Sequence, residues 1–545
     1  MSSYQYWLDH VKEKELHDEL VNMSEEQKTD SFYKELSFGT GGLRGTLGVG
    51  TACMNIYVVQ RATQGIAEYI QKKFKKHYWK VAVGFDTRIK SDIFAQTVCN
   101  VLSFYDIETY CFNEPIPTPC VSYATRELNC CMGIVITASH NPKEYNGYKV
   151  YGKDGCQITD ETAKEIYSKI QNSEYFFEYR SNIDLIHTMP EEIYDSYLKK
   201  VSSLSIQNIQ DKSMKIVYTP LYGTGLKPVT DVLIKNAYEN VILVKEQAIW
   251  NGNFPTCPKP NPEEPSAMRL GIECATKNDA DIVLATDPDC DRVSIAIKED
   301  NNYRIISANE LGCLLLDYIC QFKAKKGDVF CKSIVTTDLA ELIAQHYHLK
   351  TINTLTGFKY IGEQIGYLEK LHEEDRFVFG FEESCGFLSG TFVRDKDAVI
   401  ASLLICEMAS YYNSINVSLS SKLNSLYSQY GYCLNIQDSF TYQGAKGAKT
   451  IENIMHTFRY EIQKIGNFNI LMKKDYLQGI DNLPKSNVIK MYLENNHSII
   501  IRASGTEPKV KVYYSLIEKN EEIAKELKNN LSNYIQDIVN TCVSL

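Results

Sequence analysis

The sequence lacks an apolar run long enough to cross a bilayer, although hydrophobic residues make up 44% of its 545 positions. It also lacks an excess of positive charge, since 58 Lys and Arg stand against 68 Asp and Glu and give a formal net charge of −10. Such a surface repels nucleic acid and anionic membranes unless a local basic patch is present. Near the start, Trp7 and Asp9 occupy the region where a signal peptide has a basic end and an apolar stretch. We therefore expect a cytoplasmic protein with neither nucleic acid nor membrane as a partner.

Metal-binding and nucleotide-binding patterns are missing as well. No two C-x-x-C pairs occur among the 17 cysteines, and only Cys130 and Cys131 are adjacent, so we expect reduced, mostly buried thiols without a structural zinc site. The segment 444–450 does not fit the P-loop pattern, and we expect a basic loop over 443–449. The segment 39–45 has Arg44 in place of the last glycine of G-x-G-x-x-G. A nucleotide-dependent kinase would therefore lack its phosphate loop.

Several domains are expected, because a single hydrophobic core stops growing well below this chain length. Ser24 stands three residues before Gln27 as a capping box, which predicts helices at the start that cover the first domain. From about residue 58, helical segments alternate with buried strands, and this alternation is typical of α/β architecture. The sequence predicts three similar mixed-sheet α/β domains and a C-terminal α+β domain. Their predicted bounds are 1–205, 206–308, 309–430 and 431–545.

Ser139 is the first candidate site residue. It follows the predicted strand 133–136 and precedes His140, and Pro142 ends the turn by keeping Asn141 out of helical geometry. A serine on such a turn presents its hydroxyl outward. Taken alone, an ordinary polar turn explains the segment slightly better.

A second candidate is the aspartate loop, which we define as residues 287–292. Asp287, Asp289 and Asp291 alternate directly after a predicted strand, and their mutual repulsion indicates a bound hard cation with oxygen ligands. An EF-hand does not fit, because its sixth and twelfth positions require Gly and Glu, and here they are Arg292 and Lys298. Three carboxylates leave room for a phosphate oxygen on the same cation.

Two further segments also follow predicted strands and carry polar groups. In 380–386, Glu382 and Ser384 lie among glycines, preceded by Thr356, Gly357 and Lys359, and such groups are suited to sugar hydroxyls. In 502–508, Arg502 comes before two hydroxyl residues and a glycine, which together favour a phosphate nest. A solvated turn is the alternative for each segment.

Together these segments resemble those of the α-D-phosphohexomutase superfamily, over essentially the whole chain. Seven motifs occur in the expected order: 40–45, 137–142, 146–149, 287–292, 356–359, 381–384 and 502–508. The segments 253–255, 260–263 and 393–398 are similar to those of the branch with many bacterial phosphoglucomutases and phosphomannomutases and the phosphopentomutase-like enzymes. The resemblance implies four domains around a central cleft and phosphoryl exchange through a phosphoserine.

The resemblance also implies a role for each candidate residue. Ser139 would carry the phosphate and, with Asp287, Asp289 and Asp291, hold Mg²⁺. Glu382 and Ser384 would bind the sugar. The non-reacting phosphate would be held by Arg502, Ser504, Gly505 and Thr506. Glucose 1,6-bisphosphate or an equivalent sugar bisphosphate would be the activator.

Charge bookkeeping agrees with these roles. Three carboxylates and a phosphoserine of roughly −2 sum to about −5, and one Mg²⁺ offsets only part of it. Arg44, Arg292, Lys149 and Lys359 lie in the motifs and are candidates to offset the remainder. His140, Lys149 and Lys359 are equal candidates for the general acid and base.

The predicted function is a phosphoglucomutase-type isomerase that interconverts hexose 1-phosphate and 6-phosphate, with glucose first and mannose second. The alternatives are a phosphopentomutase, a sugar phosphatase and a non-catalytic phosphoprotein scaffold. We expect sugar phosphates as partners and a monomer or homodimer.

Overall fold

A computed structural model of the chain describes residues 3–39, 41–207, 209, 211–300, 302–442, 444–480, 483–504 and 509–543. The chain forms two compact units. The larger unit comprises Met1–Ala308, Ile361–Gly380 and Ser384–Asn416, and the smaller unit comprises Asn309–Tyr360, Phe381–Glu383 and Val417–Leu545. Within the described ranges no single helix is long and apolar enough to span a membrane, although the consecutive helices Ala398–Ser414 and Leu419–Tyr430 meet that test jointly.

Three short helices precede the first sheet: α1 Ser3–His10, α2 Lys14–Val21 and α3 Glu25–Phe32. The predicted capping box is present, because Ser24 Oγ accepts from the Gln27 N–H and the Gln27 side chain accepts from the Ser24 N–H. Trp7 and Leu20 are buried in the hydrophobic core of the first sheet. These helices therefore cover that core, as predicted.

The first sheet lies in the larger unit. Its strands are β1 Leu43–Thr46, β2 Lys80–Phe85, β3 Glu108–Cys111, β4 Met132–Ile136, β5 Tyr145–Gly152 and β6 Ile186–Thr188, in the order β1-β5-β4-β2-β3-β6. Its helices are α4 Ile56–Lys73, α5 Ser91–Phe104, α6 Thr118–Glu127, α7 Asp160–Ile170 and α8 Glu191–Ser202. β4 is parallel to β2 and antiparallel to β5, with Val135 opposite Lys149. This register sets Lys149 close to the loop that carries Ser139.

The second sheet also lies in the larger unit. Its strands are β7 Ile216–Thr219, β8 Val241–Leu243, β9 Ile282–Thr286, β10 Val293–Glu299 and β11 Asn302–Ile305, in the order β11-β10-β9-β7-β8, with helices α9 Leu226–Lys235 and α10 Pro265–Asn278. β9 and β10 pair antiparallel with Thr286 opposite Val293. The aspartate loop is therefore the connection of a β-hairpin.

The third sheet has four strands. In chain order the elements of this region are α11 Ala308–Phe322, β12 Val329–Ser333, α12 Leu339–His346, β13 Lys350–Thr354, α13 Lys359–Lys370, β14 Phe377–Glu382, β15 Gly386–Leu388, α14 Ala398–Ser414 and α15 Leu419–Tyr430. The strand order is β13-β12-β14-β15, and β12 is parallel to β13. The loop 356–359 follows β13, and Glu382 ends β14.

The fourth sheet lies in the smaller unit and is antiparallel. Its elements are β16 Tyr432–Thr441, α16 Gly444–His456, β17 Lys464–Ile465, β18 Phe468–Asp475, β19 Val488–Leu493, β20 Ser498–Ala503, β21 Lys509–Glu518 and α17 Glu521–Val543. The strand order is β16-β21-β20-β19-β18-β17. The fold class is confirmed as three α/β domains and a β-rich C-terminal domain, whereas the exact domain bounds and the cleft stay predictions.

The loop expected over 443–449 is wrong over residues 444–449, and Gln443 lies outside the described residues. Helix α16 begins at Gly444 and runs through this segment. A Cβ at Gly447 would lie 2.8 Å from the backbone of Tyr442, so this glycine permits close packing of the helix on the preceding chain. Gly447, one of the glycines that suggested a loop, therefore serves the packing of a helix.

Candidate active site

Ser139 lies on the loop after β4 and is only 3% exposed. Its φ of 53° puts a residue with a side chain in the left-handed region, at a cost of about 1 kcal/mol or more. The Ser139 N–H donates to Thr137 Oγ1 at 2.8 Å. Its hydroxyl donates to Asp287 Oδ2 at 2.9 Å and lies 3.2 Å from His140 Nδ1. The predicted hydroxyl therefore faces the aspartate loop.

The three carboxylates of the aspartate loop converge in the interior. Asp287, Asp289 and Asp291 are at most 1% exposed, and one ligand oxygen from each lies within 4.8 Å of the others. Cys290, with a φ of 51°, makes the turn between the last two. Asp287 Oδ1 accepts from the backbone N–H groups of Asp291 and Arg292 at 3.1 and 3.0 Å. The alternate spacing predicted this gathering.

The donor set of the loop fits a divalent cation. Among the described residues, the buried atoms Asp289 Oδ1 and Asp291 Oδ1 have no hydrogen-bond partner. Buried carboxylate oxygens without partners are costly, and hard cations bind such oxygens. Burial and the charges of Asp289 and Asp291 raise the pKa of Asp287 well above its ordinary value. A cation held by the three carboxylates would relieve this repulsion.

Two lysines and a threonine contact the aspartate loop. Lys149 Nζ donates to Asp289 Oδ2 at 2.7 Å and to Asp291 Oδ2 at 2.9 Å. Burial disfavours its charge, but the two carboxylates outweigh burial and raise the pKa of Lys149. Lys396 Nζ lies 2.9 Å from Asp291 Oδ2, and Thr118 Oγ1 donates to Asp289 Oδ2 at 2.8 Å.

Lys396 and Thr118 are absent from the predicted site residues. The only sequence signal for Lys396 is its place in the family motif 393–398, and Thr118 is marked only as the start of a helix before Pro119. Both come from segments that lie far along the chain from the aspartate loop.

Two of the three predicted arginines hold loop atoms near Ser139 and Ser384. Arg44 Nη1, on β1, donates to Asn141 Oδ1 at 3.2 Å beside Ser139. Arg292 Nη1 donates to the carbonyl of Ser384 at 3.0 Å. Arg292 thereby fixes the backbone of Ser384.

His140 is a neutral imidazole. Burial and the positive charges of Arg292 and Arg44 lower the pKa of His140 to about 2. Its Nδ1 is therefore close to Ser139 Oγ without a charge of its own.

In the smaller unit the loop 356–359 meets Glu382. Glu382 is 4% exposed and its Oε1 accepts from the Gly357 N–H at 2.6 Å. Gly357 has a φ of 123°, a conformation that favours glycine. Thr356 precedes it, and Lys359 Nζ lies 4.8 Å from the ring centroid of Tyr360. The structure therefore brings Gly357 and Glu382 together, and the role of this segment in sugar binding stays a prediction.

The predicted phosphate nest is described in part. Arg502 Nη1 lies 3.5 Å from the hydroxyl of Tyr513, and the Ser504 N–H donates to the carbonyl of Lys509 at 2.9 Å. Gly505 and Thr506 lie outside the described residues. The role of this segment stays a prediction.

Three family models match the chain in succession. Residues 35–176, 195–300 and 307–430 match the phosphoglucomutase/phosphomannomutase alpha/beta/alpha domains I, II and III. The chain belongs to the phosphoglucomutase/phosphomannomutase family. The superfamily resemblance predicted from the motifs is therefore confirmed.

Curated relatives in this family match nearly the full chain. A phosphoglucomutase of Staphylococcus saprophyticus is 34% identical, over 98% of this chain and 99% of the relative. A phosphoglucomutase of Staphylococcus aureus is 34% identical, over 94% of this chain and 96% of the relative.

Solved structures share the fold. A phosphoglucomutase/phosphomannomutase family protein of Burkholderia thailandensis has a TM-score of 0.71 at 16% identity, over 92% of this chain and 96% of that chain. The exocytosis-sensitive phosphoprotein parafusin, a phosphoglucomutase of Paramecium, has a TM-score of 0.71 at 17% identity, over 94% and 96%.

Proposed function

We propose that this family member is a phosphoglucomutase, an intramolecular phosphotransferase that interconverts hexose 1-phosphate and 6-phosphate. Glucose is the first expected sugar and mannose the second. The proposal depends mainly on one observation, which is that the buried Ser139 hydroxyl lies 2.9 Å from a carboxylate of a triad able to hold a cation. The relatives named phosphoglucomutase support the same reaction. They do not favour a phosphopentomutase, a phosphatase or a scaffold.

In the proposed cycle, a phosphate on Ser139 passes to the free hydroxyl of a sugar monophosphate. The bond from phosphorus to Ser139 Oγ breaks, a bond to the sugar oxygen forms, and the hydroxyl proton passes to the protein. The resulting bisphosphate turns over and returns its other phosphate to Ser139. A sugar bisphosphate such as glucose 1,6-bisphosphate would supply the first phosphate and act as activator.

The charges around Ser139 suit this transfer. Asp287, Asp289 and Asp291 would hold Mg²⁺, with a phosphate oxygen on Ser139 as a further ligand, and the ion would neutralise charge on the phosphoryl group. Lys149 contacts the aspartate loop, Arg292 ends that loop and pairs with Asp291, and both would stabilise the same charge. Arg44 lies beside the serine loop, which we define as residues 137–145, and would contact the transferring phosphoryl group.

Proton transfer needs a group within reach of the reacting oxygens. His140 Nδ1 lies 3.2 Å from Ser139 Oγ, which makes His140 the candidate on the serine side. Lys149 and Lys359 remain equal candidates on the sugar side.

The remaining roles concern the substrate. Glu382, Ser384, Thr356 and Gly357 would bind sugar hydroxyls. Arg502, Ser504, Gly505 and Thr506 would hold the phosphate that is not reacting. Because the bisphosphate must turn over, the domain of residues 431–545 would move during the cycle, within the proposed division at 205, 308 and 430.

The deciding experiment incubates the purified protein with Mg²⁺, glucose 1-phosphate and a trace of glucose 1,6-bisphosphate. Formation of glucose 6-phosphate is the expected result. Release of inorganic phosphate instead would indicate a phosphatase, and no reaction would indicate a scaffold. A panel of glucose, mannose and pentose 1-phosphates compared by kcat/KM then ranks the sugars.

The cellular setting is part of the same proposal. Small-molecule sugar phosphates are the proposed partners, in the cytoplasm, without nucleic acid or membrane. The proposed assembly is a monomer or a homodimer, which sedimentation measures directly.

A further inference from the structure

A buried arginine outside the predicted site contacts the serine loop. Arg88 follows β2 and is 2% exposed. Its Nε lies 3.3 Å from Asp86 Oδ2, and both side chains are fully buried. Burying such a pair is expensive unless the remaining hydrogen-bond donors are also satisfied.

The guanidinium of Arg88 donates to four backbone carbonyls, all in the segment 139–145. Nη1 donates to the carbonyls of Pro142 and Tyr145 at 2.9 and 3.0 Å. Nη2 donates to the carbonyl of Ser139 at 2.6 Å and to that of Asn141. Both Nη atoms are therefore used twice, whereas Nε faces Asp86 Oδ2 as an ion pair without a hydrogen bond. A lysine has three donors on one point and cannot reproduce this planar pattern.

The arginine is itself held from two sides. Asp86 Oδ1 accepts from the Arg88 N–H at 2.9 Å and from Ser91 Oγ at 2.7 Å. The guanidinium also lies 5.0 Å from the ring centroid of Phe254. A Cβ at Gly252 would lie 2.5 Å from the Ile89 nitrogen, so the two loops pack backbone to backbone. The fork therefore has little freedom to move.

We propose that Arg88 is the positioning residue of the nucleophile, an inference that rests on the proposed function. Ser139 has a left-handed φ that its side chain disfavours, and its carbonyl is one of the four that Arg88 holds. The Arg88 guanidinium holds Ser139 in this left-handed conformation and so keeps Ser139 Oγ within hydrogen-bond distance of Asp287. Arg88 contacts only backbone carbonyls of the serine loop and therefore acts through Ser139.

The position of Ser139 affects hydrolysis of its phosphate by water as well as the rate of transfer to the sugar. A phosphate on Ser139 has two acceptors, a sugar hydroxyl and water. In the reaction with water the bond from phosphorus to Oγ breaks, the water oxygen bonds to phosphorus, and the serine hydroxyl and inorganic phosphate are released. If the serine loop were loosened, the phosphate on Ser139 would no longer be aligned with the sugar hydroxyl, and water could reach the phosphorus.

The test is Arg88→Lys, assayed for mutase turnover and for inorganic phosphate release in the same reaction. We expect kcat to fall about 100-fold, the cost that a misplacement of about 1 Å can have, with KM within about twofold. We expect the ratio of phosphate release to mutase turnover to rise about tenfold. This ratio does not depend on the fraction of folded enzyme, so a purely structural defect leaves it unchanged.

Arg61→Lys is the matched control. Arg61 is also buried in the larger unit, donates to the carbonyl of Ser173 at 3.0 Å and pairs with Glu35 at 2.9 Å, but it does not contact the serine loop. This variant should keep the wild-type ratio. If Arg88→Lys does not fold, Asp86→Asn, which keeps the side-chain shape, should shift the ratio in the same direction by a smaller factor.

An unchanged ratio in Arg88→Lys, with kcat lowered only in proportion to the folded fraction, overturns the proposal. In the fallback case, an unchanged ratio in Asp86→Asn does the same. If the wild-type protein has no mutase activity, the proposed function fails, and amide hydrogen exchange over 139–145 then decides the role of Arg88. Exchange at least tenfold faster in Arg88→Lys or Asp86→Asn, but not in Arg61→Lys, supports positioning. Equal exchange in the three proteins overturns it.

Discussion

Two buried charge clusters of this chain are built from similar side chains and differ in what they leave unpaired. The aspartate loop of the larger unit gathers three carboxylates with Lys149 and Lys396, yet two of its buried oxygens have no hydrogen-bond partner among the described residues. In the smaller unit, Asp338 lies with Lys332 and Lys490, and both of its oxygens are paired. A satisfied cluster stabilises its fold, whereas an unsatisfied one is prepared for a ligand.

The smaller cluster is closely bonded. Asp338 Oδ1 lies 2.7 Å from Lys490 Nζ and 3.4 Å from Lys332 Nζ, and Oδ2 accepts from Ser498 Oγ at 2.5 Å. Burial disfavours the charge of Asp338, but the two lysines outweigh burial and hold its pKa below the ordinary value. Lys332 Nζ also donates to the carbonyl of Thr336 at 2.9 Å. Ligand binding should therefore concern the first cluster and stability the second.

The largest expected effect is that of Ser139→Ala. Removing the hydroxyl that faces the unsatisfied cluster should lower mutase turnover about 10⁴-fold or more, because the phosphoryl carrier is lost. Circular dichroism should show an unchanged fold. Ser103→Ala, at another buried serine of the larger unit, is the control and should retain activity. Turnover within tenfold of wild type in Ser139→Ala would place the nucleophile elsewhere.

The next effect is that of Asp289→Asn, which should lower kcat about 10²–10³-fold, the usual cost of one electrostatic contact to the transition state. Mg²⁺ should raise the thermal unfolding temperature of the wild type but not of this variant. Without Mg²⁺ its free energy of unfolding should lie within about 1 kcal/mol of wild type, because the weakened contact with Lys149 is offset by relief of the repulsion between Asp289 and its two neighbouring aspartates.

Tryptophan fluorescence is a suitable probe of the unfolding temperature with and without Mg²⁺. Trp7, Trp79 and Trp250 are the only tryptophans in the sequence, and all lie in the larger unit with the aspartate loop. An unaltered Mg²⁺ response in Asp289→Asn would refute the metal assignment.

Asp338→Asn should show the opposite pattern. It breaks a satisfied buried ion pair and should lower the free energy of unfolding of the smaller unit by about 2–4 kcal/mol. Its kcat at saturating Mg²⁺ should change less than threefold. Amide hydrogen exchange in β19 and β20 measures the stability of the smaller unit, because these strands carry Lys490 and Ser498. If the loss falls on activity and not on stability, the division between the two clusters is wrong.

The pH dependence of the same variant sharpens this result. Because the folded pKa of Asp338 is depressed, its contribution is fully present above the unfolded value of about 3.9 and is lost as pH falls through the folded pKa. The wild type should therefore lose its advantage over Asp338→Asn below about pH 4. Equal stability differences at pH 3 and pH 7 would argue against this charge.

The smallest effect is expected for Thr118→Val. The isosteric change removes the hydroxyl that donates to Asp289 Oδ2, and such supporting contacts change metal affinity by about tenfold. The Mg²⁺ concentration for half-maximal activity should rise by that factor, with little change in stability. Thr125→Val, whose hydroxyl donates to the carbonyl of Val121 in the same helix, is the control.

Local patterns predicted the part of the site that local chain geometry makes. Ser139 and the aspartate loop each follow a buried strand, and the spacing of the three aspartates already indicated convergence. Thr118, Lys396 and Arg88 were missed because their contacts join segments that are distant in sequence. Asp338 was missed for the same reason, since Lys490 lies 152 positions away.

The elements of the fold that could be predicted were also those that depend on residues close together in the sequence. The α/β alternation and the capping box at Ser24 were readable, because period and capping are properties of neighbouring residues. The segment 444–449 was wrongly predicted as a loop, because the glycine content does not reveal that Gly447 packs against the backbone of Tyr442.

The contact between Lys396 and Asp291 has a consequence for biosynthesis. The serine of this cluster is translated at position 139, its carboxylates near 290 and the last lysine at 396. A growing chain can thus complete the sheet that carries Ser139 long before any of the three aspartates has left the ribosome. Arg44 and Lys149 are translated together with Ser139, whereas the three aspartates and Lys396 come only with later segments, so an unfinished chain has the serine without the carboxylates that are proposed to hold the cation.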